Sequence, residues 1–97
     1  MKLLITTQYR ENYGTESDPY WKFKGGNDYV IKNVDPLKTA PGLLVERVRG
    51  DIEYSGAMSE EYILDWGLVA DDYLTEFEQS QLEYDGEIRY PAQELTV

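Results

Sequence analysis

A chain of 97 residues, 41% of them hydrophobic and with nine Tyr, two Trp and two Phe, has material for one modest core and one domain spanning 1–97. It has no Cys and no His, which excludes disulfides, thiolate chemistry and every His-based general base or nucleophile pair. The formal charge of −10 favours basic partners and disfavours nucleic acid and anionic membranes.

Lys2 to Tyr9 reads as a strand, with Leu3, Ile5 and Thr7 on one face and Leu4 and Thr6 on the other. Residues 10–19 are polar, contain Gly14 and Pro19, and read as a loop. Tyr20 to Lys24 alternates, Trp21 and Phe23 on one side and Lys22 and Lys24 on the other. Gly25-Gly26-Asn27-Asp28 then supplies turn residues, and Tyr29 to Val34 is rich in β-formers. The pattern predicts a β-hairpin closed by the glycines, with Trp21 and Phe23 buried and the lysines exposed. Aromatics interleaved with Lys also compose a stacking platform for single strands, but the alternation and the net charge favour the buried reading.

Thr39-Ala40-Pro41 opens a helix, because Pro fits the first turn. Leu44, Val45, Val48 and Ile52 follow at helical spacing, and a strand over 43–48 is the alternative. Residues 50–59 form a connection in which 52–54 can add a short strand. Tyr62 to Val69 favours a strand over a helix, since Gly67 costs a helix about 1 kcal/mol relative to Ala. Thr75 and Glu78 form a capping-box pattern for a helix to about Tyr84, with Gly86 at the C′ position. Glu87 to Tyr90 reads as a last short strand. The sum is an α+β fold: an antiparallel sheet of four to five strands with one or two packed helices.

Charge is distributed unevenly. Residues 1–50 hold eight Lys/Arg against six Asp/Glu, +2; residues 51–97 hold Arg89 alone against thirteen acids, −12. Asp65, Asp71, Asp72, Glu76, Glu78, Glu83, Asp85 and Glu87 are dense enough to line one negative face, with Tyr73 and Tyr84 beside them for contact area and Tyr62 as a further aromatic. Such a face competes with nucleic acid for a basic groove. The plainer reading is an acidic surface that confers solubility. Glu60-Glu61 and Asp71-Asp72 are neighbours rather than converging pairs, the spacing of calcium-binding loops is absent, and Gly25-Gly26 lacks phosphate-loop spacing. No catalytic residue, metal or cofactor is expected.

Thr6-Thr7-Gln8, Glu11-Asn12-Tyr13-Gly14, Tyr20 to Gly26 and Phe77 to Tyr84 together resemble small proteins of tailed bacteriophages. That resemblance implies a phage context, in which small acidic proteins include anti-restriction and anti-CRISPR inhibitors that mimic nucleic acid. It assigns no site residue. The expectation is a non-enzymatic inhibitor that works in the host cytoplasm. Its partner is a basic host protein or nucleoprotein complex, such as a Cas effector or restriction enzyme, with no direct contact to nucleic acid or membrane. The alternative is an accessory module that acts by self-association or protein–protein binding without a defence target.

Overall fold

The computed structural model describes all 97 residues, Met1–Val97. The elements in chain order are β1 (Lys2–Asn12), β2 (Trp21–Phe23), β3 (Asp28–Ile31), α1 (Pro41–Ile52), β4 (Tyr54–Ser55), β5 (Ser59–Val69), α2 (Glu76–Asp85) and β6 (Gln93–Glu94). β1 is the centre of one sheet. Along its full length it pairs antiparallel with β5, from Lys2 against Val69 to Glu11 against Ser59. That occupies one edge of β1. Its other edge takes β3 at Leu3–Thr6 and β2 at Arg10–Asn12, both antiparallel.

The expected hairpin is therefore not formed. β2 and β3 do not pair with each other; they lie end to end along β1. The segment between them stays on the ladder, because Lys24 N–H donates to the Tyr9 carbonyl, Tyr9 N–H to Gly25 and Thr7 N–H to Asn27. Gly25, at φ +89°, and Gly26 make a kink in one long edge strand instead of a chain reversal. The composition that signals a tight turn also suits a bulge, and the long partner strand β1 decides between them. The sheet is also mixed rather than purely antiparallel: β6 runs parallel to β3, with Tyr29 opposite Gln93. The last strand falls at 93–94, not at 87–90, where Gln81 takes the backbone amides of Arg89 and Tyr90.

α1 covers one face. Its stripe of Leu44, Val45, Val48 and Ile52 meets Leu3, Ile5, Tyr29, Ile31 and Val34, the apolar core of the chain. Pro41 opens the helix and Arg49 supplies positive charge in its last turn. Glu53, just past that turn, accepts from Arg49 and from the Ile63 amide. The bond from Ile63, then the cation, hold its carboxyl below the usual range. Ile63 sits where register slips between Thr6 and Thr7, so Glu53 satisfies a donor beside a bulge. The 62–69 segment is a strand, as its alternation indicated.

Candidate functional site

The second helix is attached by hydrogen bonds to the C-terminal segment, not by an apolar stripe to the sheet. Thr75 stands at its N-cap in extended conformation; its hydroxyl accepts from Glu78 N–H, and Glu78 Oε1 accepts from Thr75 N–H at 3.0 Å. This capping box closes the start of the helix. Gly86, at φ +75°, closes the end, its N–H donating to the Leu82 carbonyl. The two buried side chains of α2 are both polar, Glu78 and Gln81. Glu78 Oε2 accepts from Ala92 N–H, while Gln81 accepts from the amides of Arg89 and Tyr90 and donates to the Tyr90 carbonyl. α2 is thus pinned to residues 89–92. Burial pushes the Glu78 carboxyl up, but the amides of Thr75 and Ala92 outweigh it and hold the group below the usual range.

The helical advance of 100° per residue turns the remaining side chains outward. Glu76, Ser80 and Glu83 share one exposed side. Phe77 and Tyr84, one heptad apart, form an adjacent stripe and are 59% and 83% exposed. Asp72, Glu76, Glu83 and Asp85 make no ion pair; Asp71 meets the N-terminal ammonium at 3.2 Å, and Glu87 meets Arg89 at 2.8 Å.

The residues singled out in the sequence separate accordingly. Glu76, Glu83 and Tyr84 lie on the outward part of α2. Asp71, Asp72 and Tyr73 are exposed in the turn that precedes it, and Asp85 and Glu87 are exposed at its far end. Glu78 does not join them, because its carboxylate is taken by the backbone amides of Thr75 and Ala92. Asp65 stands apart on β5, opposite Thr6, where it accepts from the Trp66 amide. The acids therefore do not form the one continuous face that their density indicated. Helical periodicity puts Glu78 on the inward side, and the capping box fixes it there. Phe77 was overlooked in the sequence, although its spacing of seven from Tyr84 is a readable signal.

At the other end of the sheet a second cluster departs from expectation. Phe23 is 62% exposed and Trp21 only half-buried, so the inference that both rings are core side chains does not hold. β2 is three residues long, sits at an edge, and contributes nothing to the core under α1. Arg10 stacks on Trp21, 4.4 Å from the ring centroid, and ion-pairs with Glu60. Lys22 and Lys24 are exposed as expected, with their ammonium groups about Tyr13 at 5.1 and 4.8 Å from its centroid.

Glu60 and Glu61, being strand neighbours, point to opposite faces. Glu61 is buried and accepts from Thr7 Oγ1 at 2.6 Å, Asn27 Nδ2 at 3.1 Å and the Tyr29 hydroxyl at 3.2 Å. Burial and this carboxylate push the Tyr29 phenol up. No group of three or more Asp/Glu side chains has the geometry to hold a metal ion, and no helix is long and apolar enough to cross a membrane. No protein-family profile, curated protein or solved structure matches the chain.

Proposed function

We propose that this protein is a non-enzymatic inhibitor that docks α2 and its flanks into a basic groove of a nucleic-acid-handling host defence complex, a Cas effector or a restriction enzyme. The observation that carries the reading is the outward side of α2. It sets two exposed rings, Phe77 and Tyr84, beside two unpaired carboxylates, Glu76 and Glu83. Aromatic anchors in a charged surround are the composition of an interface centre and its rim. The carboxylates steer the chain towards Lys and Arg, and the rings supply the contact area that a purely charged surface lacks. The turn at Asp71 and Asp72 and the helix end at Asp85 and Glu87 extend the negative field along the chain. Phage origin enters through the resemblance of Thr6-Thr7-Gln8, Glu11-Asn12-Tyr13-Gly14, Tyr20 to Gly26 and Phe77 to Tyr84 alone.

The test is displacement of a labelled DNA duplex from a purified Cas effector or restriction enzyme. The parent chain should displace it, and added salt should weaken the effect because exposed charges are screened within about 8 Å at physiological ionic strength. Asp72→Lys, Glu76→Lys and Glu83→Lys combined should weaken displacement by orders of magnitude, since each close interfacial charge pair can couple by about 1.5 kcal/mol or more. Lys22→Glu with Lys32→Glu should change little. A triple variant that displaces DNA as well as the parent removes the reading.

A further inference from the structure

Because α2 is held by hydrogen bonds to residues 89–92, it does not close down on the sheet. The sheet face turned away from α1 is left with a cavity of about 540 Å³ beneath the helix and the C-terminal segment. That volume lies within the range of small-molecule sites. Its floor is apolar: Leu4, Val30 and Val69 of three adjacent strands, on the face opposite Leu3 and Ile31. Tyr73 and Tyr90, both exposed, stand at its sides.

The charges around it are unusual for this chain. Three of its nine basic residues, Lys2, Lys32 and Arg89, line the cavity against two carboxylates, Glu78 and Glu94, in a chain of −10. Arg89 is paired with Glu87 at 2.8 Å, which leaves the two lysines as the cations that can meet a ligand. Glu78 is already engaged by the amides of Thr75 and Ala92. Lys32 meets Glu94 at 3.3 Å with both side chains about half exposed, a pairing an incoming anion can replace at little loss. The Lys2 ammonium donates to the Tyr73 carbonyl at 2.9 Å and makes no direct ion pair, although its charge is felt by the Glu78 carboxylate. Two of its N–H donors are left without a hydrogen-bonded partner.

We propose that this cavity binds a small organic anion with a flat aromatic body, the body over Leu4, Val30 and Val69 between the tyrosines and the anionic group at Lys2 and Lys32. The site lies on the inner side of the α2 arm and does not depend on the docking role of its outer side. An apolar floor with cations at the rim selects for both features together, because neither an uncharged ring nor a bare anion uses the whole lining. The overall negative charge does not forbid this, since repulsion from distant exposed acids is screened over a Debye length while contacts inside the cavity are not.

The experiment is a titration of the full chain followed by amide chemical shifts, with adenosine monophosphate and indole-3-acetate as the phosphorylated and carboxylated probes. Adenosine and inorganic phosphate serve as half-ligands. At least one complete probe should shift the amides of Leu4, Val30, Tyr73 and Ala92 saturably, and the stronger of the two identifies the anionic group. Adenosine and phosphate alone should each bind at least about tenfold more weakly, and Lys2→Gln should weaken the complete probe by about tenfold, the equivalent of 1.4 kcal/mol. Lys32→Gln, which does not touch α2, should do the same if Lys2→Gln loosens the helix. Absence of saturable shifts with both probes at millimolar concentration overturns the proposal. So does equal binding of adenosine and its monophosphate, or indifference to Lys32→Gln in a variant whose spectrum remains folded.

Discussion

Glu61 is a buried carboxylate answered by two hydroxyls and an amide and by no cation, so its environment depends on neutral donors being held in place. Thr7 is the closest of them and also accepts the Asn27 amide N–H at 2.9 Å, which ties the kink between β2 and β3 to β1. Thr7→Val keeps the shape and removes the hydroxyl. It should lower stability by about 1–3 kcal/mol, the range for leaving a buried polar group without its partner, visible as a lower urea midpoint at unchanged slope. A loss of only a few tenths, as for an exposed site, would mean that the carboxylate is hydrated rather than held. Glu78 gives a pH dependence with the opposite emphasis. Its carboxyl titrates lower in the folded chain than in the unfolded one, so its contribution to stability is complete above the ordinary glutamate value near 4.5. It is lost as pH falls through that value towards the folded one. Amide exchange in α2 and at Ala92 should therefore quicken in that acidic window ahead of exchange in β1. Uniform quickening across both elements would show that Glu78 does not govern the attachment of the helix.

Elements with a full period were legible in the sequence. α1 announced itself through Pro41 and the apolar stripe, α2 through Thr75, Glu78 and Gly86, and β1 through the alternation that buries Leu3, Ile5 and Thr7. The reading failed where local signal is shared between two structures. Gly25-Gly26 between two β-rich runs is as compatible with a kinked edge strand as with a hairpin, and only the pairing to β1, a non-local fact, separates them. Burial of Trp21 and Phe23 followed from the hairpin and fell with it. Of the candidate site, the acids were legible as a density but not as a surface, because two residues, a little over half a helical turn, are enough to send Glu78 inward while Glu76 faces out. The kink makes a sharp test of the topology. A Cβ on Gly26 would stand 1.7 Å from the Thr7 carbonyl oxygen, whereas one on Gly25 would meet nothing but would adopt φ +89°. Gly26→Ala should therefore destabilise by several kcal/mol, since backbone and not a flexible side chain must yield. Gly25→Ala should lose only the ~1–2 kcal/mol of left-handed strain. Thermal melts of the two variants check the order. Equal losses would point to a free turn in place of a segment laddered against β1.

For the molecule as a whole, nineteen acids against nine basic residues form a surface that repels itself. Ion pairs form around Arg49, at Arg10–Glu60 and Lys32–Glu94, and at Asp71 and Glu87 on either side of α2, while Asp72, Glu76, Glu83 and Asp85 are left unpaired around a helix with no basic residue in its last turn. On the proposed docking role, stability and binding pull in opposite directions at the same residues. Each acid-to-lysine change adds +2, so Asp72→Lys, Glu76→Lys and Glu83→Lys together take the formal charge from −10 to −4. None of the three touches the capping box or the core. At low ionic strength the triple variant should melt no lower than the parent, and the parent should gain more in melting temperature on adding salt, because screening relieves in the parent what substitution has already relieved in the variant. A variant that loses DNA displacement while keeping or raising its melting temperature places the acids in recognition and not in the fold. If the parent's melting temperature is indifferent to salt, the acidic surface does not act as a self-repelling field. A charge-driven encounter with a basic groove would then lose its physical footing along with it.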